Sequence, residues 1–499
     1  MTASDSVNGP GAQARHRELL ALAPELAGQL RPGELLVHLE RVRRVVPGRP
    51  MSAVRALEEL TPQAGRLPLG RSGPVAAAGS VRRDEPGEEV PGYLRLFEAL
   101  FGRDSLTCAQ ILYPWYPGVA RRTVLALAEM QGTRDDVASE EEPGRIPHEV
   151  RAPDDPIARR ITAERGWAWP YYGSIDATCL WIMLVARIGT GSPGFLAMPV
   201  TRRDGFTVPL ARCLADGVDW LLRRISGTGL LESRPKFAGS LENQGWKDSW
   251  DAYSHADGSL ARTGTIASVE VQGLAHDALR AAADLPDPPI GVDRLRHAAD
   301  DLRERILLDF WVDGADGEFF ALGTDRDELD RPRRLAVRSS NMGHLLLSRV
   351  LDGDDPAVMR KRRMLMAAVT APDMLCAAGI RTLSTQAARF RPDAYHNGTS
   401  WPWDTWIVAA GLRRHGARAR ADDLARRILA GYLATRHFPE FYTGDDAPVP
   451  HVTGLVADVV DEAGRRNRIG RPPQEVQAWT AAAVLAVKRR GWSNSPPAV

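Results

Sequence analysis

The sequence predicts an all-α protein with two concentric layers of helices. Three observations carry that prediction. Helical periodicity recurs from about residue 91 to the end. Helices with one apolar face alternate with helices that are apolar on nearly all sides, and a helix apolar all round must be buried all round. Segments that read as strands are scarce.

Taken in order, residues 1–15 are small, polar and Gly/Pro-containing, and read as disordered. Residues 16–60 suggest two short helices split at RPGE. Residues 61–90 form a Pro/Gly/Arg-rich linker. This gives an N-terminal helical segment with linker over 1–90 and one large domain over 91–499. Within the domain, SIDATCLWIMLVARIG follows a potential cap at Ser174 and becomes apolar on nearly all sides. Leu210, Leu214, Val218, Leu221 and Leu222 trace one face of a helix. Val271, Leu274, Ala275, Ala278, Leu279 and Ala282 keep the i, i+3, i+4, i+7 spacing of another. GEFFALG at 317–323 reads as one short hairpin arm. SSNMGHLLLSRVLDG, TSWPWDTWIVAAGLRRHG and EVQAWTAAAVLAVKRRG supply further buried helices. The formal GxGxxG at Gly189, Gly191 and Gly194 follows a helix rather than a strand, so it reads as a helix C-terminal turn.

Charge narrows the function classes. The 64 Lys+Arg and 63 Asp+Glu leave a net charge of +1, with nothing that steers toward nucleic acid or an anionic membrane. The N-terminus has no apolar signal core, and the longest greasy run, 177–188, is too short to span a bilayer. Cys108, Cys179, Cys213 and Cys376 form no CxxC pair and read as buried thiols of a reducing cytosol, so the expected location is cytoplasmic. The eleven histidines show no HExxH spacing, so no metal and no cofactor is expected. The oligomeric state is open.

What remains is a recurring style of loop. FGRDSL (101–106), PYYGSIDAT (170–178), NQGWKDSWDA (243–252), SVEVQG (268–273), GIRTLS (379–384), YHNGTSWPWDTW (395–406) and HFPEFYTGDD (437–446) are examples. Several combine an aromatic residue, a carboxylate, Gly and an amide. This is the chemistry that grips a sugar: carboxylates, amides and Arg hold hydroxyl pairs, and an aromatic face carries the C–H face of the ring.

These segments, with ALAEMQGTRDD, EEPGRIPHEVR and the terminal QAWTAAA, resemble in order the catalytic domain of bacterial amylo-α-1,6-glucosidase (glycogen-debranching) proteins over about 91–490. The resemblance implies an (α/α)6 toroid and a glycoside hydrolase that cleaves α-glucosidic bonds with inversion. In that mechanism one carboxylic acid protonates the leaving oxygen and a second carboxylate activates water on the opposite face. By the same resemblance Asp248 in GWKDS matches the general acid and Glu440 in FPEFYTG the general base, with Glu270 or Asp404 as substitutes for the base. Arg103 and Asp104 match the pair that grips the terminal hydroxyls. Arg381, His396, Trp401 and Asp404 match pocket-lining positions, and Glu270 and Gln272 rim or orienting ones. Trp246 and Trp250 would keep the acid dry, and Lys247 would donate to a sugar hydroxyl.

Departures from the family pattern concern the substrate more than the machinery. Trp250 stands where a small residue is usual, and WPWDTW replaces WPHDN. The β-rich N-terminal domain of the family does not fit into residues 1–90, which read as a helical stub. A small glycoside, or a sugar on a biosynthetic intermediate, is therefore an alternative substrate, and a silent carbohydrate-binding protein a second alternative.

Overall fold

The computed structural model describes residues 35–44, 77–78, 99–152, 154–314, 317–460, 466–469, 473–474 and 476–489. The expected disordered start, most of the linker and most of the two N-terminal helices lie outside them.

The helices follow in the order α1 (Gly102–Leu112), α2 (Pro117–Glu129), α3 (Pro156–Arg165), α4 (Asp176–Gly191), α5 (Leu210–Ile225) and α6 (Val269–Ala283). Then come α7 (Val292–Asp309), α8 (Asn341–His344), α9 (Pro356–Val369), α10 (Pro402–Arg414), α11 (Arg418–Thr435) and α12 (Ala478–Lys488). Two kinds of helix are present. Helices α1, α4, α6, α10 and α12 are buried along most of their length. Helix α7 buries only Leu295, Ala299, Leu302 and Ile306, a single stripe at i, i+4, i+7, i+11. Each of α1, α4, α6, α8, α10 and α12 packs on the next, and α12 packs back on α1. The one-faced helices sit outside them: α2 on α1, α7 on α6, α11 on α10. Two glycines allow the tightest of these approaches. A Cβ at Gly343 would come 2.7 Å from Val408, and one at Gly411 would come 2.5 Å from Leu346.

The first turns of α1, α4, α6 and α10 carry Asp104, Asp176, Glu270 and Asp404. The helix dipole favours negative charge at these positions. The fold thus collects carboxylates where the buried helices begin.

Strands correct the all-α expectation: the fold is helix-rich, with short strands added. Leu35–Arg44 is a strand where a helix was expected, and it pairs antiparallel with Val452–Val460, which pairs with Arg466–Ile469. The sequence LLVHLERVRR permits both readings. Leu35, Leu39 and Val42 have helical spacing, while Leu35, Val37 and Leu39 alternate. A partner more than 400 residues away decides between them, and local periodicity does not contain it. The expected arm at 317–323 divides. Gly317–Phe320 pairs with Trp311–Gly314, whereas Gly323–Arg326 pairs with Ala267–Ser268 just before α6.

All four cysteines are buried free thiols. The formal GxGxxG closes α4 and enters a 3-10 turn at Pro193–Phe195. Among the described residues no helix is long and apolar enough to cross a membrane.

Candidate active site

The loop 242–253 is pinned on both sides of Asp248. Lys247 turns inward and its Nζ donates to the Thr382 carbonyl at 2.6 Å. Ser249 Oγ lies 2.7 Å from His396 Nδ1. Asn243 Nδ2 donates to the Ser249 carbonyl at 2.7 Å, and Asn397 Nδ2 donates to the Asp251 carbonyl at 3.0 Å. With its neighbours fixed in the protein, Asp248 keeps a side chain 27% exposed. Beneath the loop, Gln244 Nε2 donates to Glu140 at 2.6 Å, and Arg145 donates to Gln244 Oε1 at 3.1 Å. All three side chains are fully buried. A buried network of this kind is stable only when every member is satisfied, so it holds the loop in one place.

Arg103 connects this loop to the helix ends. Its Nε donates to Asp176 Oδ2 at 2.6 Å and its Nη2 to the Gly245 carbonyl at 2.9 Å. Its Nη1 stands 3.6 Å from Asp248 Oδ2. Ser174 Oγ in turn donates to Asp176 at 2.5 Å. The cation that approaches Asp248 is therefore Arg103, while Lys247 is held elsewhere.

Glu440 is 1% exposed and held at both oxygens. Tyr395 OH donates to Oε1 at 2.5 Å, and the Gln474 amide donates to Oε2 at 3.1 Å. The strand-like exchange between Ser400 and Tyr442 ties the segment after Glu440 to the 395–401 loop. There the two backbones touch: a Cβ on Gly444 would fall 1.8 Å from the Gly398 carbonyl. The same loop that is bonded to 249–251 is thus bonded to 440–444, and it brings both carboxylate loops to one place.

Asp104 is buried in the first turn of α1, next to Arg103. Burial pushes its pKa up to about 7; Arg103 pulls it down, and the charges of Asp248, Glu440 and Asp176 add to the rise. Glu270 is also pushed up by burial, with Asn341 and His344 opposing. Burial brings Lys247 down to about 8 against the pull of Asp404 and Glu270.

The aromatic wall is dense. Trp246 meets Trp403, His396 and Trp401 edge-on at 5.2, 5.4 and 5.7 Å. His396 stacks on Trp401 at 5.5 Å. Trp403 stacks on Trp479 at 4.7 Å and belongs to the core rather than to a sugar-facing rim. Trp250 is half-buried two residues beyond Asp248.

Of the residues expected at the site, Asp248, Glu440, Arg103, Asp104, Trp246, His396 and Trp401 are brought together. Others have structural partners. Gln272 is bonded at both ends to Leu231 and at Nε2 also to the Ser268 carbonyl. Arg381 hydrogen-bonds the carbonyls of Gly444, Leu375 and Asp445 and pairs with Asp446, which braces the segment after Glu440. Asp404 is fully buried, 2.6 Å from His344 Nε2. Lys247 directs its donor to the backbone of Thr382. Sequence reasoning missed Tyr395, Asp176 and Ser249. Tyr395 stands directly before His396 in a motif already singled out, which was the available signal.

Among the described residues no group of three or more His, Cys, Asp or Glu is arranged to hold a metal ion.

Residues 205–446 match the family model described as a mannosylglycerate hydrolase MGH1-like glycoside hydrolase domain. The chain is similar in structure to the GH63 mannosylglycerate hydrolase from Thermus thermophilus in complex with glucose. That match has 16% identity and a TM-score of 0.53, and covers 88% of this chain and 99% of that one. The same enzyme in complex with Tris and D-glycerate matches at 15% identity and a TM-score of 0.51, covering 87% of this chain and 98% of the other. An uncharacterized conserved protein from Thermus thermophilus matches at 16% identity and 0.53, with 88% and 99% covered. At these identities the likeness shows the fold. No curated protein matches. With a glycoside hydrolase domain matched over 205–446 and a fold shared with glycoside hydrolases, the chain is a glycosidase.

Proposed function

We propose that the chain is an inverting α-glycosidase acting on a small glycoside, with Asp248 as general acid and Glu440 as general base on an (α/α)6 toroid. The closed cycle of six buried helices, with one-faced helices outside it, supports the toroid. One observation carries the mechanism: the 395–401 loop contacts Ser249 and Asp251 on either side of Asp248 and hydrogen-bonds Glu440 itself, so two carboxylates 192 residues apart in sequence come to one place. The two differ as the reaction asks. Asp248 is partly exposed, where a leaving group can depart. Glu440 is buried and hydrogen-bonded through both oxygens, which favours its charged form, the form a base needs. Inversion requires that Glu440 take a proton from water while that water attacks the anomeric carbon. Asp248 gives its proton to the departing oxygen, and the two carboxyl groups exchange states after each turnover. Asp104 and the Trp246 face grip the sugar, and Arg103 orients Asp248.

The neighbour that binds glucose and D-glycerate, the matched family domain and the half-buried Trp250 beside the acid favour a small glycoside such as mannosylglycerate or its glucose counterpart. The resemblance of GWKDS and FPEFYTG to amylo-α-1,6-glucosidases keeps a branched glucan as the second reading. Turnover of mannosylglycerate, glucosylglycerate and an α-1,6-branched limit dextrin by the wild type, Asp248→Asn and Glu440→Gln tests the proposal. Both variants are expected to fold normally and to lose on the order of 10³-fold or more in kcat. Near-normal turnover by either removes the assignment.

A further inference from the structure

A cavity of about 370 Å³ runs behind the catalytic floor, along the axis enclosed by the buried helices. At one end it meets Arg103, Trp246, Glu270 and His344, and at the other Trp115, Arg187 and Asp277. Neither Asp248 nor Glu440 lines it. Eleven residues of α4 separate Asp176 from Arg187, a rise of roughly 16 Å. The volume falls within the roughly 300–1,000 Å³ of small-molecule sites.

The walls are apolar because two hydrophobic clusters face each other there without merging. Leu180, Leu184 and the half-buried Met183 and Leu274 come from one cluster. Ile111, Trp406 and the half-buried Leu347 and Ile407 come from the other. Apolar side chains left partly uncovered in the middle of a ring of helices cost hydrophobic stabilisation that filling the space would restore.

Arg187 is the exception at the far end. Its guanidinium lies 4.4 Å over the Tyr113 ring, and among the described residues no carboxylate pairs with it. Burial pushes its pKa down, with only Tyr113 opposing. A half-buried cation at the end of an apolar cavity with no anion beside it would be stabilised by a bound anion. Asp277, the acid at the same end, is already engaged: its Oδ1 lies 2.8 Å from His276 Nδ1 and accepts from the Arg349 amide at 3.0 Å.

We propose that this rear cavity is a second ligand site that takes a single-chain amphiphile, its apolar chain along the Leu180–Leu274–Ile407 walls and its carboxylate on Arg187. The site shares Arg103 and Trp246 with the sugar site at its near end, its anion end at Arg187 lies away from Asp248 and Glu440, and it does not depend on which glycoside is cleaved.

Calorimetry with octanoate, decanoate and decan-1-ol on the full chain tests it. Decanoate is expected to bind one to one and about 15-fold tighter than octanoate, since two further buried methylenes contribute roughly fourfold each. Arg187→Gln should weaken decanoate about tenfold or more and leave decan-1-ol unchanged. Leu274→Trp should remove both ligands. If that variant fails to fold by circular dichroism, Arg187→Gln, at the mouth of the cavity, decides alone. Asp248→Asn should bind decanoate as the wild type does. Absence of saturable decanoate binding, equal affinity in Arg187→Gln, or loss of decanoate in Asp248→Asn would each overturn the proposal.

Discussion

Replacing Asp104 by Asn should change how stability depends on pH, and the direction is fixed by where its proton sits. The ordinary carboxyl pKa of 3.8 rises to about 7 in the fold because burial, Asp248 and Glu440 outweigh Arg103. Between those two values the folded chain holds a proton that the unfolded chain has released. A carboxyl raised in this way contributes stability that is fully present below 3.8 and is lost as pH climbs through about 7. At about 1.36 kcal/mol per unit, the shift of about three units corresponds to roughly 4 kcal/mol across the whole window. Between about pH 5 and pH 8 the share is roughly 2–3 kcal/mol. The Asp104→Asn variant carries no titrating group there. Its stability relative to wild type should therefore rise by roughly that amount from about pH 5 to pH 8, read as urea midpoints at several pH values. Activity should move the opposite way, because the amide cannot accept from two sugar hydroxyls as a carboxylate does. A stability difference that stays constant with pH, or that shifts toward the wild type as pH rises, would refute the account of three carboxylates sharing one field.

Two further outcomes follow from the geometry. Tyr395→Phe removes a charge-assisted hydrogen bond to Glu440, of a kind that contributes about 1.5–3 kcal/mol. It should lower kcat roughly 10- to 100-fold and move the acidic limb of kcat/KM to higher pH, and an unmoved limb would show that the phenol does not tune the base. Lys247→Met leaves the buried Thr382 carbonyl with only the long 3.4 Å bond from the Ser340 amide, at a cost of about 1–3 kcal/mol in stability. It should lower kcat through the displaced Asp248 loop with little change in KM, whereas a large rise in KM alone would return Lys247 to the sugar.

Much of the candidate site was legible because short motifs carry the resemblance. GWKDS, FGRDSL and FPEFYTG place their carboxylates at fixed short distances from an aromatic residue or a cation, and the fold keeps those neighbours. The alternation of one-faced and all-round apolar helices also carried through to the packing of α7 outside α6 and of α10 inside α11. What was not legible depends on direction or on distant partners. Lys247 and Asp248 are adjacent, yet one faces inward to Thr382 and the other outward, and only the pins at Thr382 and His396 decide which. Arg381 and Gln272 have the residue types of sugar ligands, but their donors are taken up by backbone carbonyls that sequence spacing does not reveal. Tyr395 gains its role from Glu440, 45 residues away. Leu35–Arg44 became a strand through a partner near the other end of the chain.

The stereochemistry of the first product tests the central claim most directly. Proton NMR during the first turnovers of an α-glycoside substrate should show the β-anomer of the released sugar forming before mutarotation, because Glu440 delivers water to the face opposite the departing oxygen. Initial release of the α-anomer would mean retention and would contradict the pairing of Asp248 as acid with Glu440 as base.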